Sequence, residues 1–203
     1  IINALALLGW STESEIFSID DLIKSFKLEN VQKAAAVFDL KRFNWVSSQQ
    51  LAKLDENGFF EAIKPFMENE DVNEDYPNYK KILLAMRTSK TNLKDIAHAT
   101  RPFFFELDGY DEKGVKKFLN ESLETLTFAL EVLSKLTEWN ETELDMALIK
   151  VRDYFNLPIP KVNQPMRIAL VGSTVSPSLG LTLELFGKEK SLERIQKAID
   201  FIS

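Results

Sequence analysis

His98 is the chain's single histidine, and none of the 203 residues is cysteine. Thiolate nucleophiles, disulfides and Cys-based metal sites are thereby excluded, as is any site built from several histidines. His98 sits in Ile96-Ala97-His98-Ala99, with no serine and aspartate spaced around it as a triad, so it reads as a structural or surface side chain rather than a general base. The run Arg87-Thr88-Ser89-Lys90-Thr91 has the lysine and hydroxyls of a mobile nucleotide loop. It lacks both a preceding Rossmann pattern and a His-x-Gly-His partner. Gly172-Ser173-Thr174 has no following Gly-Lys-Ser/Thr and is not a P-loop. The carboxylate pairs Asp20-Asp21 and Glu68/Glu70 fall in helix-start or loop contexts, where capping and solvation account for them. The sequence therefore points to no catalytic residue and no metal site in this chain.

Charge is the next bound. The balance of 25 Lys+Arg against 31 Asp+Glu gives a net −6, which taken whole argues against a phosphate-rich partner. Its distribution argues otherwise. Glu68 to Tyr79 holds five acids and no base, whereas Lys80 to Arg101 holds six bases (Lys80, Lys81, Arg87, Lys90, Lys94, Arg101) against Asp95 alone. The last 48 residues hold six bases against four acids, leaving the first 155 at a net −8. Two basic islands in an acidic chain are what a phosphate-facing surface, or ordinary scatter on solvated helices, would leave. No apolar run approaches the ~18 residues of a membrane span. Ile1 opens inside the apolar stretch IINALALLGW without an initiator methionine or a basic signal region, so the chain reads as a piece of a longer cytoplasmic protein. An exposed apolar patch is expected around Ile1 to Leu8.

Periodicity assigns nearly every segment to helix. Ser18 and Asp21 can cap Ile19 to Phe26; Asn78 to Arg87 and Asn92 to Ala99 read as two helices, the latter halted by Pro102. From Asp111 the apolar residues Val115, Phe118, Leu119, Leu123, Leu126, Leu130, Leu133 and Leu136 recur at helical spacing, which predicts one long amphipathic helix. Another begins after Asn140 and ends near Asn156. Ile168 to Val171 is short enough to be strand or buried helix, and its composition leans helical. Ser191 can cap a last helix carrying Leu192, Ile195, Ile199 and Ile202, with Gly187 ending the one before it. The tryptophans and phenylalanines are expected mostly in the core. Seven of the glycines and prolines, from Pro158 to Gly187, cluster in the last quarter, where recognition turns are expected. The fold class is all-α.

Blocks of sequence then identify a resemblance. Asn3-Ala4-Leu5-Ala6-Leu7-Leu8-Gly9-Trp10-Ser11, Glu15-Ile16-Phe17-Ser18 and Ala36-Val37-Phe38-Asp39-Leu40 with Trp45 are followed by Leu93-Lys94-Asp95-Ile96 through Phe103-Phe104. Gln164-Pro165-Met166-Arg167-Ile168-Ala169-Leu170-Val171-Gly172, Ser176-Pro177 and Leu185-Phe186-Gly187-Lys188-Glu189 close the series. In this order they resemble the region after the catalytic domain of bacterial-type glutamyl-tRNA synthetases, class I ligases that join glutamate to tRNA using ATP. The resemblance implies the end of a stem-contact region over 1–52, then a helical anticodon-binding domain, an α-bundle or helix cage, of two subdomains over 53–110 and 111–203. ATP and Mg belong to the catalytic domain, which this stretch lacks, so the chain needs no cofactor and is inactive alone. The implied partner is tRNA(Glu), with tRNA(Gln) left open, bound by a monomer.

The same resemblance carries site residues. Arg42 and Trp45 match contacts to the anticodon stem and loop. Arg167 matches the signature arginine, and Ser176 and Leu179 match positions that meet the middle and third anticodon bases. The family's first-base arginine falls in register on Ser89; a shift of register would hand its role to Arg87, and Lys90 lies beside both. Two other readings stand next to this one: an all-helical protein-interaction module without RNA binding, and a hydrolase using His98.

Overall fold

The computed structural model describes residues 1–10, 14–32 and 37–203. Ser11 and Ala36 of the blocks above lie outside that range. Among the described residues the chain is helical, with an isolated antiparallel bridge between Trp10 and Val31 and no β-ladder. Ile168 to Val171 is accordingly the end of a helix. No described helix is long and apolar enough to cross a membrane.

Two compact units are present, Ile1–Asp71 with Lys90–His98, and Val72–Ser89 with Ala99–Ser203. The first unit contains α1 (Ile2–Gly9), α2 (Ile19–Ser25), a 3-10 turn (Leu28–Asn30), α3 (Leu40–Lys53) and α4 (Glu56–Glu68). Ser18 and Asp21 form the capping box expected of them. α1 and α3 are joined by a polar knot: buried Asn3 donates to Glu15 O at 2.9 Å and accepts from Gln50 Nε2 at 2.8 Å, and Gln50 also donates to Phe17 O at 3.0 Å. Ile1, Ile2 and Leu5 are at least half exposed.

In the second unit α5 (Tyr79–Met86) precedes the rest of the chain. α6 (Leu93–Phe104) begins in the first unit and ends in the second, with Asn92 accepting from Asp95 N–H at its start. It is not halted by Pro102. A proline in the last turn forfeits one backbone bond, and Phe105 N–H still reaches Arg101 O at 3.0 Å.

The long helix expected from Asp111 is broken into α7 (Glu112–Gly114), a π turn (Val115–Leu119) and α8 (Leu123–Ser134). Asn120 N–H bonds back five residues to Val115 O, and the buried Ser122 hydroxyl takes Leu119 O at 2.6 Å, so the polar Asn120-Glu121-Ser122 stretch turns the chain while the apolar spacing runs on through it. α9 (Glu141–Phe155) starts and stops as expected: Asn140 caps Glu143 N–H, and Asn156 closes it in the left-handed region at φ +50°.

α10 (Ile159–Val171), α11 (Leu179–Phe186) and α12 (Lys188–Ile202) complete the unit. Gly187, at φ +75°, ends α11 and starts α12 at once. Ser191 is therefore inside α12 rather than its cap, fully buried, with its hydroxyl on Leu183 O. Leu126, Leu133, Leu144, Val151, Met166 and Ile195 centre the core of α8–α12. Arg194 crosses it, donating to Leu170 O and Phe105 O with its guanidinium over the Phe186 ring.

The aromatic residues are less interior than composition suggests. Trp10, Phe17 and Phe59 are buried, but Trp45, Phe26, Phe38 and Phe201 are exposed.

Candidate functional site

Helix α3 carries two of the expected site residues. Asp39 caps it by accepting from Lys41 and Arg42 N–H, which sets Arg42 and Trp45 one turn apart on one face. Trp45 is 43% exposed, an uncommon state for so large an apolar residue. Arg42 donates to Glu15 at 2.7 Å with both side chains about half exposed, a pair that binding phosphate can replace at little cost. Lys90, also of the first unit, is exposed and has no ion-pair partner among the described residues.

At the end of α5 in the second unit, Arg87 is the C-cap and half-buried, its N–H on Leu84 O. Ser89 N–H closes the turn onto Met86 O at 2.9 Å, while its hydroxyl is buried and has no hydrogen-bond partner among the described residues. The Arg87–Thr91 run thus follows a helix, with none of the strand–loop–helix setting that a nucleotide loop requires.

Arg167 and Ser176 are brought into direct contact. Arg167 Nε donates to Ser176 Oγ at 3.2 Å and Nη2 to Pro177 O at 3.4 Å, which straps α10 to the turn that leads into α11. Half-burial draws the Arg167 guanidinium below its ordinary pKa by desolvation, yet an arginine stays charged. Pro177 disfavours helical backbone at the preceding Ser176. Ser178 then caps α11 by accepting from Leu181 N–H. Leu179 is 2% exposed and packs in the core, so this position anchors the turn from inside.

Sequence reading missed what supports this turn. Thr182, fully buried, lies 3.1 Å from Ser176 Oγ and donates to Ser178 O at 2.8 Å. The Ser178 hydroxyl also donates to Glu141, whose N–H donates to Glu184 at 2.7 Å, and Glu184 receives the Lys81 ammonium. The signal available was a threonine four residues after a capping serine in an apolar helix, the spacing at which a hydroxyl returns to the backbone. The carboxylate links join residues 37 to 103 positions apart and leave no local pattern.

His98 is exposed, with Nδ1 3.4 Å from a Glu70 carboxylate oxygen. Among the described residues no cluster of three or more metal-ligating side chains forms.

Comparison with known proteins adds the following. A family model described as an anticodon binding domain matches residues 58–199. Glutamate–tRNA ligase 1 of Caldanaerobacter subterraneus subsp. tengcongensis is 34% identical over 209 residues, covering 100% of this chain and 44% of that protein. Glutamate–tRNA ligase of Thermodesulfovibrio yellowstonii is 33% identical over 209 residues, covering 98% of this chain and 44% of that protein. The crystal structure of a glutamate tRNA ligase from Elizabethkingia meningosepticum in complex with its amino acid superposes with a TM-score of 0.80 at 29% identity, over 100% of this chain and 41% of that one. The chain therefore spans less than half the length of the relatives it matches.

Proposed function

The chain belongs to the anticodon-binding domain family, and from that premise we propose that it is the tRNA-binding, anticodon-recognising part of a glutamate–tRNA ligase. Arg167 bonded to Ser176, on a turn inside the matched stretch, is the observation that carries the reading. Sequence-specific RNA recognition works on splayed single-stranded bases read at their edges and stacked on planar groups. A half-buried guanidinium pinned beside a hydroxyl offers both, at fixed geometry.

The other expected site residues take their own roles in this reading. Arg42 and Trp45 present a cation and a ring to the anticodon stem and loop. Arg87 or Ser89, at the end of α5, meets the first base, and Lys90 neutralises a phosphate. The functional division is a stem-contact remainder over 1–52 and two anticodon-binding parts over 53–110 and 111–203. On this reading the whole protein is a cytoplasmic monomer that joins glutamate to tRNA(Glu), using ATP and Mg²⁺ held outside this chain. The chain alone binds without ligating.

Titration of the chain with a tRNA(Glu) transcript at low and moderate salt tests this. The expected result is saturable binding that weakens with salt and falls on replacing the anticodon or on Arg167→Ala. Binding indifferent to both changes would refute the anticodon role.

A further inference from the structure

We propose that the relay running from Lys81 through Glu184 and Glu141 to Ser178 positions the Ser176-Pro177 turn against α5 and so sets anticodon discrimination. The inference rests on the proposed base-reading role of that turn and deepens it. The relay consists of positioning residues, since none of the four needs to touch RNA.

Each link answers a local demand with a distant partner. Glu184 lies in the last turn of α11, where the helix dipole disfavours a carboxylate. It is held ionised there because one oxygen receives the Lys81 ammonium and the other accepts Glu141 N–H, one of the orphan donors at the start of α9. Those two donors hold its carboxyl below the usual glutamate range. Glu141 uses its own carboxylate to accept from the Ser178 hydroxyl, and Ser178 caps α11. Thr182 spans the last gap, within hydrogen-bond distance of both Ser178 O and Ser176 Oγ.

Backbone packing fixes the register of the same elements. A Cβ on Gly180 would fall 2.8 Å from Glu141 O, so only glycine lets the start of α11 press this closely on the start of α9. Apolar contacts tolerate small slides, whereas hydrogen-bonded networks specify one arrangement. Because α5 carries Lys81 near its start and ends at Arg87, the relay ties the Arg87 helix to the Arg167–Ser176 turn within one unit.

The test is a set of affinities for the full chain: a tRNA(Glu) transcript and transcripts with the first or the middle anticodon base replaced. Lys81→Met and Glu184→Gln are expected to lower the ratio of cognate to replaced-base affinity roughly three- to tenfold. Lys81→Arg should keep it. Lys81 is about half exposed, so Lys81→Met decides the question if Glu184→Gln melts early. A ratio unchanged in Lys81→Met overturns the relay. So does an equal loss on every transcript, which would make Lys81 a phosphate contact. A wild-type chain with no ratio to lose overturns the anticodon reading itself, and the relay with it.

Discussion

Arg167 has five N–H donors and spends two on Ser176 Oγ and Pro177 O, which leaves three for RNA among the described contacts. Arg167→Ala should cost about 1–3 kcal/mol of tRNA binding, and Arg167→Lys should recover little of it, since an ammonium cannot bridge the turn and stack at the same time. A filter-binding titration of both variants checks this. Glu193 belongs to a surface ion-pair network in which Lys190 and Lys197 each reach both Glu193 and Glu106. Hydrogen bonds from Lys197 and Lys190 lower its carboxyl pKa from 4.5 to about 2. A carboxyl depressed on folding stabilises the protein above its unfolded pKa, and that contribution is lost as pH falls through the folded value. The melting-temperature gap between wild type and Lys197→Met is therefore expected to be open near neutral pH and to close between about pH 4.5 and about pH 2. A gap constant across that window would remove the ion pair from the account. Arg167 and Ser176 were legible as residues because their neighbours form recognisable blocks. Thr182 was not, since a threonine inside Leu179–Phe186 looks like one more moderately apolar helix position.

At the scale of elements, the closeness of α11 to α9 is the sharpest constraint. Gly180→Ala would set a methyl against Glu141 O and the Asp145 carboxylate. Overpacking of this kind typically costs about 1–3 kcal/mol, and urea unfolding of the variant would measure it; a cost near zero would mean that the two helices slide apart freely. Asn140→Ala removes the cap on Glu143 N–H and should cost about 1 kcal/mol in the same assay. Capping residues carry their signal locally, which is why Ser18, Asn140 and Gly187 placed their helix ends from sequence. The break at Asn120-Glu121-Ser122 gave no such signal. Leu119 and Leu126 sit at helical spacing on either side of it and both pack into one core, so the apolar pattern runs on although the chain turns between them.

For the molecule as a whole, net charge and binding have to be reconciled. The chain carries −6, with Lys80 to Arg101 and the last 48 residues as its basic stretches. A partner held by phosphate contacts releases counterions, so tRNA affinity should fall linearly in log–log form with salt, at about −0.7 per contact for single-stranded segments. Lys90→Gln should lower affinity evenly across anticodon variants and reduce that slope by about one contact. A selective loss would instead make Lys90 a base reader. Composition and periodicity were enough to establish an all-helical chain without cysteine, a multi-histidine metal site or a P-loop, because each of those follows from residue types and near-neighbour spacing. The ordered blocks were enough for the family, because a family signature is written in sequence order. Tertiary placement was a different matter: Arg167 meeting Ser176 through a turn, Leu179 facing inward, and Lys81 reaching Glu184 across 103 positions. These follow from how helices pack side by side, and the spacing of residues along one helix does not encode which neighbour its polar atoms will meet.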